Sequence, residues 1–228
     1  METLSEQTLR GGNRDWPHLP QIVPLGDSAL LVRFGQSLDD AANRAALAFA
    51  ARVQSDAIGG VSEVVPSLVS VLVRYDPTVI GPVRLAGELG LRLDSNGMQE
   101  NTQVQHIAVR FDGPDLAEVA GVLGLSPDAF VAAHNRSGLR VLTTGFAPGF
   151  VYCGLHDSAL TVPRRALVRP VVPAGSVLFA AGQTAITSTE VPTGWHVIGH
   201  TDFRNFDALQ NPPTRLRAGD ELIFEVVP

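Results

Sequence analysis

The alternation of hydrophobic and polar positions in the first hundred residues predicts a small α/β domain. Two apolar runs flank the Gly26-Asp27 turn, which is typical of a β-hairpin, and an alanine-rich segment further on has the spacing of an amphipathic helix. A second strand pair and a second short helix follow. The predicted elements are two strands within 22–34, a helix at 38–57, strands at 61–66 and 68–75, and a helix at 79–91. Their β-β-α-β-β-α order indicates a small α/β sandwich.

The pattern changes in the second half of the chain. Residues 104–111 alternate as a strand does, and residues 116–123 and 126–135 predict two helices. From residue 139 onwards, short β-rich runs are broken by glycine and proline at roughly ten-residue spacing, which is typical of a barrel or sandwich. The chain thus divides into three predicted parts: a flexible N-terminus at 1–20, an α/β domain at 21–100 and a β-barrel domain at 101–228. Polar residues 94–102 predict the linker.

Composition restricts the classes of function. The 17 basic and 23 acidic residues give a net charge of 17 − 23 = −6, which argues against a nucleic-acid or anionic-membrane partner. The sequence contains no apolar run long enough to span a membrane and no secretory signal pattern in residues 1–20. Its single cysteine, Cys153, excludes an internal disulfide and fits a reducing compartment. We therefore expect a cytoplasmic protein.

Several catalytic motifs are absent from the sequence. It contains no G-x-S-x-G, no phosphate-binding G-x-x-x-x-G-K-[ST], no H-E-x-x-H and no dinucleotide fingerprint. It also contains no lysine, which excludes a Ser-Lys mechanism within this chain. These absences argue against a self-contained hydrolase, kinase or dehydrogenase.

Candidate chemistry concentrates between residues 145 and 201. Arg164, Arg165 and Arg169 form a basic cluster in an otherwise acidic chain, and guanidinium groups suit carboxylate, carbamate or phosphate recognition. A solvated face or an ion pair within the chain is the alternative.

The same stretch offers other binding groups. Backbone N–H groups of residues 174–176, together with Gln183 and Thr184, could bind an anion or stabilise an oxyanion. Trp195 could stack on a ligand, although a tryptophan beside a turn is more often part of the core. Cys153 has no partner spacing that supports a nucleophile, so the pattern favours a small buried apolar residue.

Among the six histidines, His134 is the candidate acid or base. It stands at the predicted end of a helix, where the helix dipole favours the protonated form. A histidine that only caps the helix is the alternative. No two histidines stand four residues apart on a predicted helix with a carboxylate, so the sequence indicates no metal site.

Taken together, these motifs resemble one family. The motifs are G-F-x-P-G-F-x-Y-x-G-L at 145–155, P-R-x4-R-x2-V-P-A-G-S-V at 163–177, Q-T at 183–184, P-x-G-W at 192–195 and G-x-T at 199–201. This set is similar to the family of allophanate hydrolase subunit 1, also called the B component of 5-oxoprolinase. That family includes a sporulation-kinase inhibitor of bacilli and part of the carboxyltransferase region of urea amidolyase. The resemblance covers nearly everything after residue 21.

The resemblance implies an α+β fold, with an N-terminal ferredoxin-like domain followed by a C-terminal cyclophilin-like β-barrel. It implies a subunit of a hetero-oligomeric, ATP-dependent amide or lactam hydrolase that opens 5-oxoproline to glutamate and is inactive without its partners. The expected partners are a second barrel subunit, called allophanate hydrolase subunit 2 or the C component of 5-oxoprolinase, and a third subunit. ATP, with magnesium, is expected in the complex, and no metal on this chain.

The residue types in these motifs suit this chemistry, and they give a hypothesis for the site residues. The expected catalytic residues are His134 as proton carrier and Arg164 and Arg169 as groups that hold phosphate or carboxylate. The expected substrate-binding residues are Phe146, Gly149, Gly175, Ser176, Gln183, Thr184 and Trp195.

The chain departs from the family pattern at several positions. Thr187 and Ser188 stand where members commonly have tyrosine and proline, Thr193 stands in place of a glycine, and His200 stands in place of an arginine. The turn after Tyr152 is one residue shorter. Loss of an aromatic ring weakens a stacked contact, and loss of a guanidinium weakens a bidentate contact. The sequence therefore does not identify the substrate.

Two other functions fit the sequence. The first is a regulatory protein that binds and inhibits a sensor histidine kinase, as the bacillar relative does. Such an inhibitor needs an exposed docking patch but no organised anion pocket. The second is carboxyl transfer from biotin to urea or a related compound, which requires a biotin-carrying domain elsewhere.

Overall fold

A computed structural model describes residues 20–93 and 102–228. The flexible N-terminus predicted for 1–20 and the linker predicted for 94–102 lie almost wholly outside these ranges. Contacts divide the chain into two compact units, Met1–Met98 and Gln99–Pro228. Each unit has its own hydrophobic core.

The first unit is a four-stranded antiparallel sheet with two helices. Its elements are β1 Gln21–Pro24, β2 Ala29–Arg33, α1 Asp40–Ser55, β3 Val61–Pro66, β4 Ser70–Tyr75 and α2 Pro82–Leu93. The strands lie in the order β1-β2-β4-β3, each antiparallel to its neighbours. The predicted β-β-α-β-β-α order is therefore confirmed.

Helix α1 illustrates how the sequence sets these elements. The Asp39 carboxylate accepts a hydrogen bond from the N–H of Ala42 at 2.8 Å and so caps the first turn. Ala46, Phe49 and Val53 recur at helical spacing and are buried, and the helix packs on β3 and β4. Because each large apolar side chain buried in this way contributes roughly 1.5–3 kcal/mol, this stripe holds the helix on the sheet.

The second unit is built on a seven-stranded sheet. Its elements are β5 Val104–Val109, α3 Leu116–Val122, α4 Pro127–His134, β6 Leu139–Thr144, β7 Val151–Gly154, β8 Arg169–Val172, β9 Ser176–Ala180, β10 Gln183–Ile186, β11 Val191–Thr193, β12 His196–His200 and β13 Glu221–Val226. The sheet order is β12-β9-β10-β7-β6-β13-β5, with β5 parallel to β13 and all other neighbours antiparallel. Strands β8 and β11 form a separate two-stranded ribbon.

The two edge strands of this sheet meet. Arg110, directly after β5, and His200, the last residue of β12, exchange two backbone hydrogen bonds of 2.9 and 2.8 Å. A Cβ atom on Gly113 would overlap the carbonyl of Val197, so only glycine permits the close approach that follows. The sheet therefore curls until its edges are paired, which is consistent with the predicted barrel.

Strand alternation divides this unit between two cores. In β10, Ile186 belongs to a large core shared with α3 and α4, whereas Ala185 belongs to a smaller core under the β8–β11 ribbon. Consecutive side chains of a strand point to opposite faces, so Thr184 shares the face of Ile186, and Gln183 shares the face of Ala185. We call these two sides of the sheet the helix face and the ribbon face.

No single helix of the described residues is long and apolar enough to cross a membrane. Helices α3 and α4 are long and apolar enough only when taken together, and a bend of 84° separates them. Both helices contribute buried residues to the helix-face core, as core helices of this kind do.

Candidate functional site

Two of the three clustered arginines are ion-paired within the chain. Arg169 donates from both terminal nitrogens to the buried carboxylate of Asp115, at 2.8 and 3.0 Å. Arg165 donates to the same carboxylate at 2.9 Å, and the backbone N–H of Val197 donates at 2.7 Å. The intrachain ion pair that the sequence left open as an alternative is therefore present for these two arginines. We call this cluster the Asp115 hub.

Asp115 stays ionised although it is buried. Burial raises its pKa, but the hydrogen bond from Arg169, the Val197 N–H and the charges of the two arginines together lower the pKa below its ordinary value. The same hydrogen bond raises the pKa of Arg169. The hub thus ties α3 to β12 and to the segment that carries the arginines.

Arg164 is arranged differently from its two neighbours. Its guanidinium carbon lies 5.8 Å from the centre of the Trp195 ring, which is a cation–π geometry. The side chain is exposed, and no carboxylate of residues 20–93 or 102–228 lies within ion-pair distance of it. Trp195 itself is buried in the ribbon-face core, so it serves as a core residue that also supports a cation.

A continuous set of aromatic rings extends from Trp195 to the protein surface. Ring centres are 5.8 Å apart between Trp195 and Tyr152, 4.8 Å between Tyr152 and Phe150, and 5.5 Å between Phe150 and Phe146. Burial raises the pKa of Tyr152, against the opposing effect of the Arg164 charge, so its hydroxyl stays a donor. We call these four rings and Arg164 the aromatic surface.

Phe146 is the outermost ring of the aromatic surface. It is 71% exposed and has a φ of 76°, in the left-handed region that residues other than glycine rarely adopt. Two short-range hydrogen bonds, from Gly145 N–H to the Phe150 carbonyl and from Phe150 N–H to the Ala147 carbonyl, hold the loop in this form. Unfavourable backbone conformations of this kind cluster at binding and catalytic sites.

His134 shares one hydroxyl group with a second histidine, His156. The Nε2 atom of His134 lies 2.7 Å from Thr184 Oγ1, and the Nε2 atom of His156 lies 2.8 Å from the same oxygen. Nδ1 of His134 lies 2.6 Å from Asn135 Oδ1. The two imidazole rings are 4.5 Å apart and both pack on Phe179, on the helix face. We call these two histidines, Thr184 and Asn135 the Thr184 hub.

Both imidazoles of this hub are neutral near pH 7. Burial lowers the pKa of His134 to about 4, although the hydrogen bond to Asn135 acts in the other direction. Burial and the proximity of His134 lower the pKa of His156 to about 3. The expectation that the helix dipole keeps His134 protonated is therefore wrong, because burial among aromatic rings outweighs the dipole.

The small predicted site residues make contacts within their own turns. Ser176 donates its hydroxyl to the Pro173 carbonyl at 2.8 Å. Gly175 has a φ of 85°, and a Cβ atom there would overlap the Thr201 carbonyl. At Gly149, with a φ of 69°, a Cβ atom would lie 2.6 Å from the Phe206 side chain. The turns explain these three residue types, and their role toward a substrate stays a prediction.

Gln183 lies on the ribbon face, and its side chain is only 9% exposed. Its Oε1 atom is buried and has no hydrogen-bond partner in the described part of the chain. Nearly all buried polar groups in proteins are hydrogen-bonded, so this oxygen is an exception, and the role of Gln183 toward a substrate stays a prediction. Its neighbour Thr184 is fully buried within the Thr184 hub.

The three predicted catalytic residues lie in different places. His134 reaches Thr184 on the helix face, and Arg164 covers Trp195 on the ribbon face. Arg169 belongs to the Asp115 hub. The alternation of side chains along the strands separates the first two, so the three residues do not form one site within this unit.

The departures from the family pattern have local partners. Thr187 donates its hydroxyl to the Pro173 carbonyl at 2.9 Å, and Thr193 accepts the Trp195 N–H at 3.0 Å and so fixes the tryptophan. At His200, Nε2 accepts a hydrogen bond from Arg110 at 2.8 Å, and Nδ1 lies 2.6 Å from the Asp112 carboxylate.

A surface cavity of about 610 Å³ adjoins the partners of His200. Its lining includes Arg110, Asp112, Leu116, Asp128 and Asn135, and none of the predicted site residues. Arg110 and Asp112 are already occupied by His200, so the cavity presents no unpaired charge of this pair to a ligand.

Cys153 lies in the helix-face core, and burial raises the pKa of its thiol. Because the thiolate is the reactive form, this residue is a buried apolar side chain and not a nucleophile. Across the described ranges, no group of three or more histidine, cysteine, aspartate or glutamate side chains is arranged to hold a metal ion.

Sequence reasoning did not identify Asp115 or His156 as polar centres. Arginines that lie among apolar segments need a buried carboxylate as a partner, and this need was the one indication of Asp115 in the sequence. His156 had no local signal, because its partner Thr184 lies 28 residues further along the chain. Only the pairing of β7 with β10 brings the two regions together.

Solved structures share the architecture. TTHA0988 aligns with a TM-score of 0.77 and 36% identity over 88% of this chain, and the chain spans only 40% of the length of that protein. The urea amidolyase of K. lactis aligns with a TM-score of 0.75 over 94% of this chain and 15% of its own length. At 16% identity, the second likeness shows a common fold alone.

Sequence comparison gives the family. The family model described as carboxyltransferase domain, subdomain C and D, matches residues 20–216. A Bacillus subtilis (strain 168) protein, named as the B component of 5-oxoprolinase, is 35% identical over 219 residues, which is 90% of this chain and 91% of that protein. The motifs at 145–201 that carried the resemblance all lie within these matches. The chain therefore belongs to the carboxyltransferase subdomain C and D family, which includes the proteins named as 5-oxoprolinase B components.

Proposed function

We propose that this chain is a subunit of a hetero-oligomeric, ATP-dependent amide or lactam hydrolase of the 5-oxoprolinase type. Membership of the family and the name of the Bacillus subtilis relative support an enzyme subunit. The observation that carries the proposal is the aromatic surface, where the exposed Arg164 guanidinium lies on Trp195 and successive ring contacts lead from Trp195 to the exposed Phe146. A guanidinium suits a carboxylate or phosphate, and the exposed Phe146 ring suits a planar amide, so these two groups fit the chemistry of a substrate such as 5-oxoproline.

The proposal extends to the fold of the two units. If β1 were moved to the end of the first unit, its element order would become the β-α-β-β-α-β order of ferredoxin-like domains. In the second unit, the pairing of Arg110 with His200 across the sheet edges supports a cyclophilin-like barrel.

The aromatic surface also supports a partner protein. Hydrolysis of an activated amide works best where bulk water is excluded, yet Phe146 and Arg164 are exposed in this chain. We assign the cover to the second barrel subunit, which is the C component of 5-oxoprolinase or allophanate hydrolase subunit 2, and a third subunit completes the complex. The length of TTHA0988, of which this chain spans 40%, is compatible with such a second unit in one polypeptide.

ATP and its magnesium belong to the complex in this proposal. Opening an unstrained lactam is driven by ATP most simply through phosphorylation of the amide oxygen, which creates an anion for Arg164 to hold. The chain contains no G-x-x-x-x-G-K-[ST] motif and no lysine, so we assign no nucleotide phosphates to it. We also propose a cytoplasmic location, which the single cysteine supports because it fits a reducing compartment.

Glutamate formation tests the proposal. The chain is co-expressed with the second barrel subunit and the third subunit, and glutamate is measured from 5-oxoproline and ATP. Arg164→Ala is expected to lower kcat/KM by roughly a hundredfold, as the loss of one anion-stabilising group does. Arg84→Ala, which removes an exposed guanidinium from α2, is the matched control and should leave kcat/KM unchanged. No glutamate from a well-folded complex would remove 5-oxoproline as the substrate, and full activity of Arg164→Ala would move the site away from the aromatic surface.

One observation favours the second function, inhibition of a sensor histidine kinase. Phe146, Leu167, Val168 and Val171 are apolar and exposed, and exposed apolar groups mark protein docking surfaces. Incubation of the chain with a purified sensor kinase from the same organism distinguishes the two functions. Stoichiometric loss of autophosphorylation, combined with no contribution to glutamate formation, would favour the inhibitor over the enzyme.

A further inference from the structure

The Ser188 hydroxyl joins the exposed end of the aromatic surface to the rest of the second unit. It donates to the carbonyl of Gly149 at 3.0 Å, and it accepts the backbone N–H of Asn205 at 3.0 Å. Gly149 belongs to the Phe146 loop, residues 145–150, which connects β6 to β7. We propose that Ser188 is a positioning residue, which holds this loop in the conformation that presents the Phe146 ring. The presentation of that ring to a substrate rests on the proposed function.

The backbone of Phe146 needs such support. Its φ of 76° lies in the left-handed region, and a residue other than glycine keeps such a conformation only when the surrounding structure enforces it. Ala181 is the one other non-glycine residue of the described ranges with a positive φ. It lies with Gly182 in the two-residue turn between β9 and β10, and the favoured turns of that length require positive φ values. The Phe146 loop is longer, so the length of the turn does not explain its conformation.

The side chain of Phe146 supplies little of this support. It is 71% exposed, and its ring meets the Phe150 ring edge to face, with the ring centres 5.5 Å apart. The loop is held instead through its backbone. The hydrogen bonds from Gly145 to Phe150 and from Phe150 to Ala147 both lie within the loop. The bond from Ser188 ties the loop to another part of the chain.

Gly149 fits closely against Ser188 and Phe206. A Cβ atom on this glycine would lie 2.7 Å from Ser188 Oγ and 2.6 Å from Phe206 Cβ, which is closer than side chains approach one another. The φ of 69° also favours glycine at this position. The loop therefore rests directly on Ser188, and a displacement of either one affects the other.

The far side of Ser188 is anchored in a core. Asn205 is fully buried, and its Oδ1 atom accepts the backbone N–H groups of Leu216 at 2.7 Å and Arg215 at 3.1 Å. Leu216 belongs to the helix-face core. The N–H of Asn205 that Ser188 accepts is therefore held in place. One hydroxyl thus acts as donor to the loop and as acceptor from a fixed segment, and an alanine at this position makes neither bond.

Hydrogen exchange of the full chain tests whether Ser188 holds the loop. In Ser188→Ala, the backbone amides of Gly145 and Phe150 should exchange roughly tenfold faster than in the wild type, as expected when one hydrogen bond is lost. The amide of Ala181, which donates to the Val162 carbonyl at 2.7 Å, is the control and should keep its exchange rate. Unchanged rates at Gly145 and Phe150 would overturn the proposal. An equal increase at Ala181 would also overturn it, because the substitution would then loosen the whole unit.

The complex tests whether the held loop positions Phe146 for the substrate. Ser188→Ala should raise KM for 5-oxoproline by roughly fivefold and leave kcat within about twofold, because a displaced ring weakens binding and contacts no reacting bond. Phe146→Ala should raise KM by roughly tenfold, and the double variant should raise it no further, since Ser188 acts through Phe146. Ser158→Ala, which changes an exposed serine of the same unit, is the control and should leave KM unchanged.

Two kinetic outcomes would overturn the positioning role. One is a double variant whose KM rises by the product of the two single effects, because the residues would then act independently. The other is a wild-type KM for Phe146→Ala in an active complex. If the wild-type complex forms no glutamate, the proposed function fails, and the exchange rates still decide whether Ser188 holds the loop.

Discussion

The Asp115 hub and the Thr184 hub are both buried polar clusters of the second unit, yet one is charged and the other is neutral. Asp115 accepts hydrogen bonds from Arg165 and Arg169 and keeps a lowered pKa. The histidines around Thr184 contact a hydroxyl and an amide, and burial lowers the pKa of His134 to about 4. Burial alone therefore does not decide ionisation. A buried titratable group stays ionised when its partner has the opposite charge, and it becomes neutral when its partner is uncharged.

The same comparison separates polar groups that are bonded within the chain from polar groups that remain open to a ligand. In the Asp115 hub, both arginines donate to one carboxylate of the chain, Arg169 from two guanidinium nitrogens and Arg165 from one. Arg164, one residue before Arg165, stays exposed on an aromatic ring instead. In the Thr184 hub, the side-chain polar atoms all have partners among the described residues except Nδ1 of His156 and Nδ2 of Asn135. The exposed guanidinium of Arg164 is thus the candidate of this arginine cluster for contact with a substrate or partner.

Removal of the central carboxylate should have the largest effect. Asp115→Ala leaves two partly buried guanidinium groups and the Val197 N–H without their acceptor, and breaking a buried pair in this way costs about 3–5 kcal/mol. Urea unfolding at pH 7 measures the loss. Glu63→Gln, which removes an exposed partner of Arg74 at 3.8 Å, is the control and should cost less than about 1 kcal/mol. A cost for Asp115→Ala as small as that of the control would show that the hub is not structural.

Acid should distinguish the two hubs. His134 has a pKa of about 4 when folded against about 6.5 when unfolded, so the unfolded chain binds more protons below pH 6.5. The contribution of neutral His134 to the free energy of unfolding is fully present above that pH and is lost as the pH falls toward 4. Between pH 7 and pH 5 this loss lowers the free energy of unfolding by about 2 kcal/mol. Asp115, with a lowered pKa, loses its contribution only as the pH falls below its ordinary range.

Urea unfolding at pH 7 and at pH 5 measures this loss. In His134→Gln, the free energy of unfolding should change less between the two pH values than in the wild type, by about 2 kcal/mol. Asp115→Ala should leave the difference between pH 7 and pH 5 as it is in the wild type. An unchanged difference in His134→Gln would mean that His134 is not buried in its neutral form.

The smallest effect on stability is expected at Arg164. Its cation–π contact with Trp195 is exposed, so Arg164→Ala should lower the free energy of unfolding by less than about 1 kcal/mol. Arg169→Ala should cost more, because it leaves Asp115 with one partner fewer in a buried place. Thermal unfolding of the two variants side by side checks the order. The reverse order would indicate that Arg164 has a structural role. A loss of activity in Arg164→Ala could then not be assigned to a lost contact with the substrate.

Most of the fold could be predicted from the sequence. The hydrophobic pattern of α1, with Ala46, Phe49 and Val53 on one face behind an aspartate cap, requires only neighbouring residues. The predicted strand at 104–111 and the helix at 126–135 correspond to β5 and α4 within a few residues. The hydrophobic periodicity of neighbouring residues predicts which side of each helix or strand faces a core, and no distant residue is needed for that prediction.

The candidate site could be predicted only in part. The motif at 145–155 led to Phe146, whose exposed ring begins the aromatic surface. The cluster of Arg164, Arg165 and Arg169 was visible as well, but not that one member covers a tryptophan while the other two share Asp115. The partner of each guanidinium depends on which strands are adjacent, and no local pattern of residues records that.

The sequence by itself determined the family, the order of elements and the stretch that contains the site, since motifs and periodicity are properties of neighbouring residues. The tertiary structure alone decided that His134 and Arg164 lie on opposite faces of the sheet, and that His134 is neutral and not protonated. Both outcomes have one physical reason. The environment of a polar group, and hence its charge, is set by residues that become neighbours only when the sheet closes.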